Sequence, residues 1–434
     1  MIRRDLYLNK LIRKKENGLV KVITGLRRCG KSFLLFDIYA GFLRENGVDD
    51  DHMIRISLDD FNNRRYWNPN ELNDYIRGKI INDGKTNYVF IDEIQFVKEV
   101  DNPYLKGGKV GFVDVVLGLM KIKHVDIYVT GSNSEMLSKN ILTKFRGRGD
   151  QIHVCPLSYK EFYDAYAGEK SKSWQEYMTF GGMPRVALID DYEDKAEYLK
   201  NLFFEIYIKD IMESNSIRND KSVLEDLLNI VSSSVGSLTN PLKLSRAFKS
   251  VKKVSVSSAT LERYLECFVD SFLMERAKRY DIRGKKYIES PMKYYFSDIG
   301  LRNARLNFAE IEETHLMENI IYNELRTRGF NVDVGVVERN YKDAEGKSRR
   351  SQLEVDFVCN KGNERIYMQS AFRIDGKDKM DQETRGLLKI GDSFKKIVVL
   401  RDNIVPRRDE NGILFVGVED FLLNDKYTST DMSV

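Results

Sequence analysis

Short apolar runs alternate with amphipathic segments through the first third of the chain. The runs predict buried strands, and the segments between them carry apolar residues at helical spacing. Strands that alternate with helices are typical of a parallel sheet covered on both faces, so we predict an α/β fold here. The predicted strands are Leu19–Thr24, Met53–Leu58, Tyr88–Asp92, Val125–Thr130 and Gln151–Val154, and the predicted helices are Lys31–Leu43, Asn70–Ile81 and Phe112–Lys121.

The pattern changes twice further along the chain. Ser158 is placed to cap a helix through Ala167, with Glu161 as its capping-box partner. The chain is then mainly helical until a helix at Glu313–Arg328 opens a section rich in strands. These changes predict a parallel-sheet domain at residues 1–168, a mainly helical domain at 169–308, and a small α+β domain at 309–434.

The first predicted strand runs directly into a phosphate-binding loop. Gly25–Ser32 fits the Walker A pattern at every fixed position and opens a helix, where backbone N–H groups form a nest for anions. Lys31 would place a charge at the β- and γ-phosphates, and Ser32 would ligate Mg²⁺. The motif predicts ATP and Mg²⁺ as cofactors. Predicted nucleotide contacts are Gly25, Leu26, Arg27, Arg28, Cys29, Gly30, Lys31, Ser32 and Phe33.

Cys29 lies within this loop at the start of a helix. That position favours one of two roles, an oxidation-sensitive thiol with a lowered pKa or a residue that only fills space. The sequence leaves both open.

A second motif ends the predicted strand Tyr88–Asp92. Four apolar residues lead into two carboxylates, the Walker B pattern, about sixty residues after Lys31. Asp92 is predicted to hold the Mg²⁺ shell, and Glu93 to orient and deprotonate the attacking water. Without the phosphate loop, the same pattern would indicate only a strand that leads into a polar loop.

Two further groups are predicted to respond to the γ-phosphate. Thr130 ends a neighbouring strand, with Ser132 and Asn133 as close alternatives, whereas an ordinary helix cap at Ser132 or Ser134 is the structural explanation. An arginine commonly neutralises the charge that develops during phosphoryl transfer, in cis or across a subunit interface. The candidates are Arg146, Arg148, Arg27 and Arg28.

Composition excludes several classes of protein. The 434 residues suffice for two to three domains, and 42% hydrophobic and 31% charged residues are typical of globular proteins. No apolar run approaches the roughly 18 residues of a spanning helix, and the N-terminus lacks a secretory signal. We therefore expect a cytoplasmic protein with no membrane partner. Scattered cysteines and histidines indicate neither a disulfide framework nor a zinc site.

Taken together, these motifs resemble a widespread bacterial and archaeal family. Its members pair an N-terminal AAA-type ATPase domain with a C-terminal region of unknown function. The resemblance covers nearly the full length and implies ATP binding, hydrolysis and a link to DNA. It rests on Ile23–Arg28, Ile91–Ile94, Val129–Ser132, Phe145–Arg148, Pro156–Ser158, Phe180–Pro184, Lys293–Leu301 and Glu354–Phe357.

The middle section predicts three helices followed by a hairpin. Two helices are predicted at Ser222–Ser234 and Pro241–Lys249, and Ala277–Tyr280 with Lys285–Ile288 predicts the hairpin. This order makes a winged helix-turn-helix, which the resemblance also suggests. The third helix carries its apolar residues at helical spacing, at Leu261, Tyr264, Leu265, Phe268, Val269, Phe272 and Leu273.

Charge leaves the partner of this section open. No acid occurs between Leu227 and Leu261, and the bases here suit phosphate contacts with double-stranded DNA. The solvent face of the third helix instead carries Glu262, Glu266 and Asp270, which repel a DNA backbone. Duplex DNA and protein contacts are the two alternatives. The bases are Lys243, Arg246, Lys249, Lys252, Lys253, Arg279, Arg283, Lys285 and Lys286.

The C-terminal section resembles restriction-type nuclease folds in the order of its acids and strands. Glu318 lies on a predicted helix, and Asp356 ends a strand at Leu353–Asp356. Such enzymes need a further acid and a lysine to hold Mg²⁺ and activate water. Gln369 and Ala371 occupy those places, so we predict a catalytically silent relative.

The leading hypothesis is a Mg²⁺-dependent ATPase whose phosphate state moves the winged helix and the C-terminal domain. The alternative is a nucleotide-gated adaptor that binds ATP with negligible turnover and recruits a protein partner. A homo-oligomer is a further expectation, because an arginine can act across a subunit interface. Nuclease activity is a third hypothesis, which the missing acid and lysine argue against.

Overall fold

Close packing divides the chain into two compact units. The computed structural model describes residues 2–131, 145, 147–214, 221–309, 311–342, 346–372 and 376–429. The first unit comprises Met1–Pro156 with Asp270–Phe272, and the second comprises Leu157–Val269 with Leu273–Val434. The three-domain division of the sequence stays a prediction.

A five-stranded, all-parallel sheet forms the centre of the first unit, and all five strands predicted from the sequence are present. The α/β prediction is confirmed. The strands are β1 (Val20–Thr24), β2 (Met53–Ser57), β3 (Asn87–Asp92), the hairpin pair β4 (Val100–Asp101) and β5 (Lys109–Val110), β6 (Val125–Thr130) and β7 (Gly149–His153). The sheet order is β2-β3-β6-β1-β7, with the β4–β5 hairpin forming its own small sheet.

Helices cover this sheet. The helix after the phosphate loop is continuous but includes a π-helical segment, Leu34–Tyr39. Single-turn 3₁₀ helices lie at Asp50–His52 and Ile94–Phe96, and a longer one at Phe61–Trp67. The α-helices are α1 (Asp5–Lys14), α2 (Lys31–Phe33), α3 (Ala40–Glu45), α4 (Pro69–Lys79) and α5 (Phe112–Leu119).

One face of the sheet packs on α4 and α5. Because side chains alternate along a strand, every second residue of four neighbouring strands points into this core. Its aliphatic members from the sheet and the two helices are Val20, Val22, Ile54, Ile56, Leu72, Ile76, Val89, Ile91, Val115, Val116, Leu119, Ile127 and Val129.

The opposite face contains a buried polar cluster that apolar patterning did not reveal. The Lys21 ammonium, in the middle of β1, is fully buried and bonds the Asp126 carboxylate on β6. The Tyr128 hydroxyl donates to the same carboxylate at 2.7 Å and lies 2.6 Å from the Tyr39 hydroxyl. Burial lowers the pKa of Lys21, and Asp126 opposes that shift. A charged pair with several hydrogen bonds is the form in which burial of charge is tolerated.

The second unit is built on a nine-stranded mixed sheet, whose strands come from both sides of the predicted domain boundary at residue 308. Its order is β15-β16-β14-β13-β12-β11-β9-β10-β8. The predicted hairpin is present as β9 and β10, and β9 also pairs in parallel with β11. The strands are β8 (Leu238–Thr239), β9 (Met274–Asp281), β10 (Lys286–Phe296), β11 (Asn331–Lys342), β12 (Ser348–Lys361), β13 (Glu364–Ala371), β14 (Lys395–Leu400), β15 (Arg407–Arg408) and β16 (Leu414–Gly417).

Most helices of this unit precede the large strands, as the sequence predicts. The first is closed by the predicted capping box, in which Ser158 and Glu161 bond each other's backbone N–H groups. They are α6 (Tyr159–Ala165), α7 (Ser173–Phe180), α8 (Tyr192–Asn201), α9 (Lys209–Ser214), α10 (Lys221–Ser233), α11 (Pro241–Ala247), α12 (Ser258–Asp270), α13 (Ile299–Arg305), α14 (Glu313–Thr327), α15 (Lys377–Leu388) and α16 (Val418–Leu423). Within the described ranges, no helix combines the length and apolar character needed to cross a bilayer.

Candidate functional site

The phosphate loop joins β1 to α2 through unusual backbone angles. Gly25 has φ 142° and Gly30 has φ 97°, in the region where only glycine is unstrained. A Cβ at Gly25 would lie 2.1 Å from the Val154 carbonyl oxygen, so glycine is required there on contact grounds as well. Arg28 adopts φ 66°, a left-handed value that is uncommon for residues with a side chain. The loop therefore has the close-turning backbone that the motif predicts.

Lys31 lies inside the curve of this loop. Its ammonium donates to the carbonyl oxygens of Gly25 and Leu26, each at 3.0 Å, and its side chain is buried. Both acceptors belong to the loop, so the ammonium stays where a phosphate held by the loop would meet it. The next residue, Ser32, lies near enough to Asp92 for its side chain to lower the pKa of that carboxyl. The structure thus places Ser32 beside Asp92, and the nucleotide-binding and metal-binding roles of Lys31, Ser32 and Asp92 stay predictions.

Asp92 ends β3 and is surrounded by hydroxyl groups. The Thr130 hydroxyl donates to one carboxylate oxygen, and the Ser57 hydroxyl donates to the other at 3.3 Å. Burial raises the pKa of Asp92, and the charges of Glu93 and Asp59 raise it further, while hydrogen bonds from Thr130 and Ser32 oppose the shift. A buried carboxylate among like charges is stabilised by a cation, so these residues fit a bound Mg²⁺.

Glu93 follows Asp92 in a strained conformation. Its φ is 55°, and left-handed angles for non-glycine residues are concentrated at functional sites. Its backbone N–H donates to the Thr130 hydroxyl oxygen at 3.3 Å, and its carboxylate accepts a hydrogen bond from the Gln95 side-chain amide. The strained turn and the two hydrogen bonds fix where the carboxylate lies. Thr130 therefore contacts both members of the Asp92–Glu93 pair, which agrees with its predicted place at the site.

The remaining loop residues divide by exposure. Leu26 is buried, Arg27 is partly buried, and Arg28 and Phe33 are exposed. The buried Cys29 thiol donates to the Val154 carbonyl oxygen at 3.2 Å, and burial raises its pKa. The alternative of a lowered thiol pKa is therefore wrong, and the space-filling role is the one that the contacts support.

Arg148 lies at the amino-terminal end of the strands, opposite the end that carries the phosphate loop. Its carbonyl oxygen accepts from the Val20 N–H at 2.9 Å, beside the first residue of β1, whereas the phosphate loop follows the last. Five strand residues separate the two ends by about 16 Å. Within one chain, Arg148 is therefore not brought to Lys31, and its predicted role remains only across a subunit interface. Arg146, Ser132, Asn133 and Ser134 lie outside the described residues.

Some contributors to the site were missed in the sequence. Ser57 ends β2, and its hydroxyl bonds both Asp92 and Asp59, the latter at 2.7 Å. Ser57 and Asp59 lie at the carboxyl end of the strand next to β3. The sequence could have indicated them, because the carboxyl ends of parallel strands meet at the same end of the sheet. Gln95, which donates to the Glu93 carboxylate, gave no comparable signal.

A separate cluster of charged residues lies in the second unit, where the sequence predicts a silent nuclease. The Lys293 ammonium bonds Glu318 at 2.9 Å and Glu354 at 2.7 Å. Asp356 accepts from the Ser370 N–H at 2.8 Å, and burial together with the charge of Glu318 raises its pKa well above the usual value. Among the described residues, no group of three or more His, Cys, Asp and Glu side chains could hold a metal ion. The silent-nuclease prediction itself remains untested.

The hairpin of the predicted winged helix is not a free wing. Arg279 donates to the Gln352 side chain at 2.9 Å, and Arg283 donates to the Lys389 carbonyl oxygen at 2.9 Å. These two predicted DNA-contacting bases are therefore already engaged within the unit, and Lys252, in the π-helical segment Phe248–Lys252 that follows α11, pairs with Asp226 at 2.9 Å. The other bases of α11 and of the segment after it are exposed. Whether this section is a winged helix stays a prediction.

Comparisons with known proteins place the chain in a family. A family model described as an AAA domain matches residues 17–163, and one described as a domain of unknown function matches 171–312. An uncharacterized protein from Haemophilus influenzae is 32% identical over 428 residues, covering 98% of this chain and 99% of its own. An uncharacterized protein from Methanocaldococcus jannaschii is 30% identical over 384 residues, covering 84% of this chain and 78% of its own.

Solved structures show weaker similarity. The ORC1 protein of Aeropyrum pernix in complex with DNA aligns with a TM-score of 0.29 and 10% identity, covering 70% of this chain and 92% of its own. Cdc6p from Pyrobaculum aerophilum aligns with a TM-score of 0.26 and 10% identity, covering 72% of this chain and 95% of its own. At these TM-scores neither similarity bears on function. The two relatives and the family models establish that the chain belongs to a bacterial and archaeal family in which an AAA-type P-loop domain precedes a region of unknown function.

Proposed function

We propose that this chain binds ATP together with Mg²⁺ and hydrolyses the terminal phosphate. The observation that carries the proposal is the arrangement of the phosphate loop and the acid pair: the loop holds the buried Lys31 ammonium through two carbonyl oxygens, and the Ser32 side chain lies near enough to Asp92 to lower the pKa of its carboxyl. Ser32 is thus the point at which the phosphate loop meets the acid pair. A nucleotide phosphate and its metal ion would be held between those two elements.

Each residue has a distinct part in this proposal. The N–H groups of Gly25–Ser32 and the Lys31 ammonium bind the phosphates, and Arg27, Arg28 and Phe33 border them. Ser32 and Asp92 would hold Mg²⁺, whose charge would offset that of the transferring group. The Glu93 carboxylate takes the proton of the attacking water. Thr130 holds Glu93 and Asp92 in position, because its hydroxyl accepts from the Glu93 N–H and donates to the Asp92 carboxylate. Arg148 or Arg146 completes the site from a neighbouring subunit in a homo-oligomer.

Calorimetric titration and steady-state phosphate release test this proposal directly. The full chain should bind ATP with Mg²⁺ and turn it over, whereas Lys31→Met should bind at least about tenfold more weakly. Lys98→Met is the matched control, because Lys98 is an exposed lysine of the same unit. Failure of the full chain to bind any adenine or guanine nucleotide would sink the proposal.

The rival function is an adaptor gated by nucleotide. It shares the binding site but not the chemistry, so both functions predict ATP binding and only the ATPase predicts phosphate release. Binding without release, with duplex DNA present or absent, would favour the adaptor. The strained, hydrogen-bonded Glu93 favours the ATPase, because an adaptor has no need to fix that carboxylate.

We also propose that the second unit binds double-stranded DNA and that the protein acts in the cytoplasm. Five bases in α11 and the turn after it, without an intervening acid, suit the backbone of double-stranded DNA. The acids of α12, among them Glu266, which pairs with Arg276, disfavour that helix as a reader of bases. Retention on duplex DNA should therefore fall steeply with salt and vary little with sequence. A flat response to salt would favour a protein partner.

A further inference from the structure

The chain leaves the first unit immediately behind the phosphate loop. β7 ends at His153, and Pro156 is the last residue of that part of the unit. We call residues 154–156 the exit segment. Because the exit segment is the covalent path to residue 157, its position matters for any signal from the nucleotide site.

Several direct contacts hold the exit segment against the loop. The Val154 N–H donates to the Thr24 carbonyl oxygen at 2.8 Å, which continues the pairing of β7 with β1. The Val154 carbonyl oxygen accepts from the Cys29 thiol and lies where a side chain at Gly25 would be. The start of the loop at Gly25 and its middle at Cys29 therefore both lie against the exit segment.

Arg4 makes a second connection between the same two segments. Its guanidinium donates to the Cys29 carbonyl oxygen at 3.2 Å and to the Cys155 carbonyl oxygen at 2.6 Å. The side chain is 4% exposed and lies 4.7 Å from the centre of the Tyr7 ring. The Tyr7 hydroxyl in turn accepts from the Cys155 N–H at 3.0 Å. The start of the chain thus bridges the loop and the exit segment.

The chemistry of the peptide bond makes this bridge responsive to phosphate. The Cys29 carbonyl and the Gly30 N–H belong to one planar peptide unit, so they rotate together. When the Gly30 N–H turns toward a phosphate, the Cys29 carbonyl oxygen turns with it. Arg4 must then follow that oxygen or release it, and in either case its bond to Cys155 changes.

We propose that Arg4 is a positioning residue that transmits occupancy of the phosphate loop to the exit segment. The inference rests on the proposed ATP binding and adds the route by which that binding reaches the second unit. Tyr7 holds the N–H of Cys155, whereas Arg4 holds its carbonyl oxygen. A shift of Arg4 would therefore change the hydrogen bonding of Cys155 locally and would not displace the whole unit.

Hydrogen exchange of the intact chain, measured by mass spectrometry over residues 150–158, tests the proposal. ATP with Mg²⁺ should change exchange in this segment of the parent by about threefold or more. Arg4→Met should keep ATP binding within about tenfold of the parent yet lose this change, and Arg4→Lys should restore part of it. Arg3→Met is the matched control, because the adjacent Arg3 side chain is 84% exposed.

Tyr7→Phe keeps the test decisive even where Arg4→Met folds poorly. It removes one hydroxyl, so Cys155 exchange should rise without nucleotide and respond less to ATP. A parent that binds ATP without any change in exchange would overturn this inference alone, as would an Arg4→Met protein with the full parental change. A parent that binds no nucleotide would overturn the proposed function together with this inference.

Discussion

Replacing Glu93 with Gln isolates the chemical step from binding. The substitution keeps the size of the side chain and the left-handed backbone at this position, where both residue types carry the same strain of about 1–2 kcal/mol. The carbonyl oxygen of the introduced amide can still accept from the Gln95 side chain, so the local fold should persist. What is lost is the only group in the proposal that takes a proton from water.

The expected magnitude follows from that single loss. A positioned general base contributes about 10²–10⁴-fold to a rate, which corresponds to about 2.7–5.4 kcal/mol of barrier. Binding should be unchanged or slightly tighter, because the Glu93 charge raises the pKa of Asp92 and so disfavours the ionised form that holds the metal. We therefore expect kcat to fall by at least about a hundredfold with little change in the affinity for ATP.

The assay is single-turnover and steady-state phosphate release, with affinity measured by calorimetry on the same samples. Glu99→Gln is the matched control, since Glu99 is an exposed acid a few residues further along. Turnover by Glu93→Gln within about threefold of the parent, at equal affinity, would refute the role of this carboxylate.

Three further substitutions test the structural basis of the sites. Asp92→Asn removes a carboxyl whose pKa is raised in the folded protein. Ionisation of such a carboxyl destabilises the folded state as pH rises above the unfolded pKa of 3.8. By calorimetry without nucleotide, the variant should therefore melt at a higher temperature than the parent at pH 7, and the difference should be smaller at pH 4. In Gly25→Ala, the new Cβ meets the Val154 oxygen and should cost about 1–3 kcal/mol in urea unfolding, whereas Gly41→Ala, in an open helical position, should not destabilise. In Lys293→Met, the buried carboxylate of Glu318 and the more exposed carboxylate of Glu354 lose their cation, which should cost about 3–5 kcal/mol. A loss below about 1 kcal/mol would contradict the ion pair with the buried Glu318.

The fold of the first unit was predictable because its signals are local. Apolar runs predict strands such as Tyr88–Asp92 to within one residue. The same holds at the start of the second unit, where the capping box at Ser158 marks a helix start that involves only four residues. The predicted helix around Leu261 extends too far, since Phe272 adopts φ 59° after α12 has ended at Asp270. Periodicity alone does not register a backbone that turns left-handed. The pairing of β9 with β11 joins residues more than fifty positions apart, and no local pattern specifies it.

The same distinction separates the parts of the site that were predicted from those that were not. Lys31, Ser32 and Asp92 belong to motifs because their chemistry requires a fixed spacing on a strand and a turn. Arg4 acts through two carbonyl oxygens, which every residue possesses, so no partner sequence is needed and no motif arises. Arg148 shows the converse: its motif is recognisable, but only strand direction reveals that it lies at the opposite end of the strands from its own chain's phosphate loop. Sequence therefore identifies the groups that touch a nucleotide, whereas the connection from that site to the rest of the chain depends on backbone contacts that become visible only once the sheet is assembled.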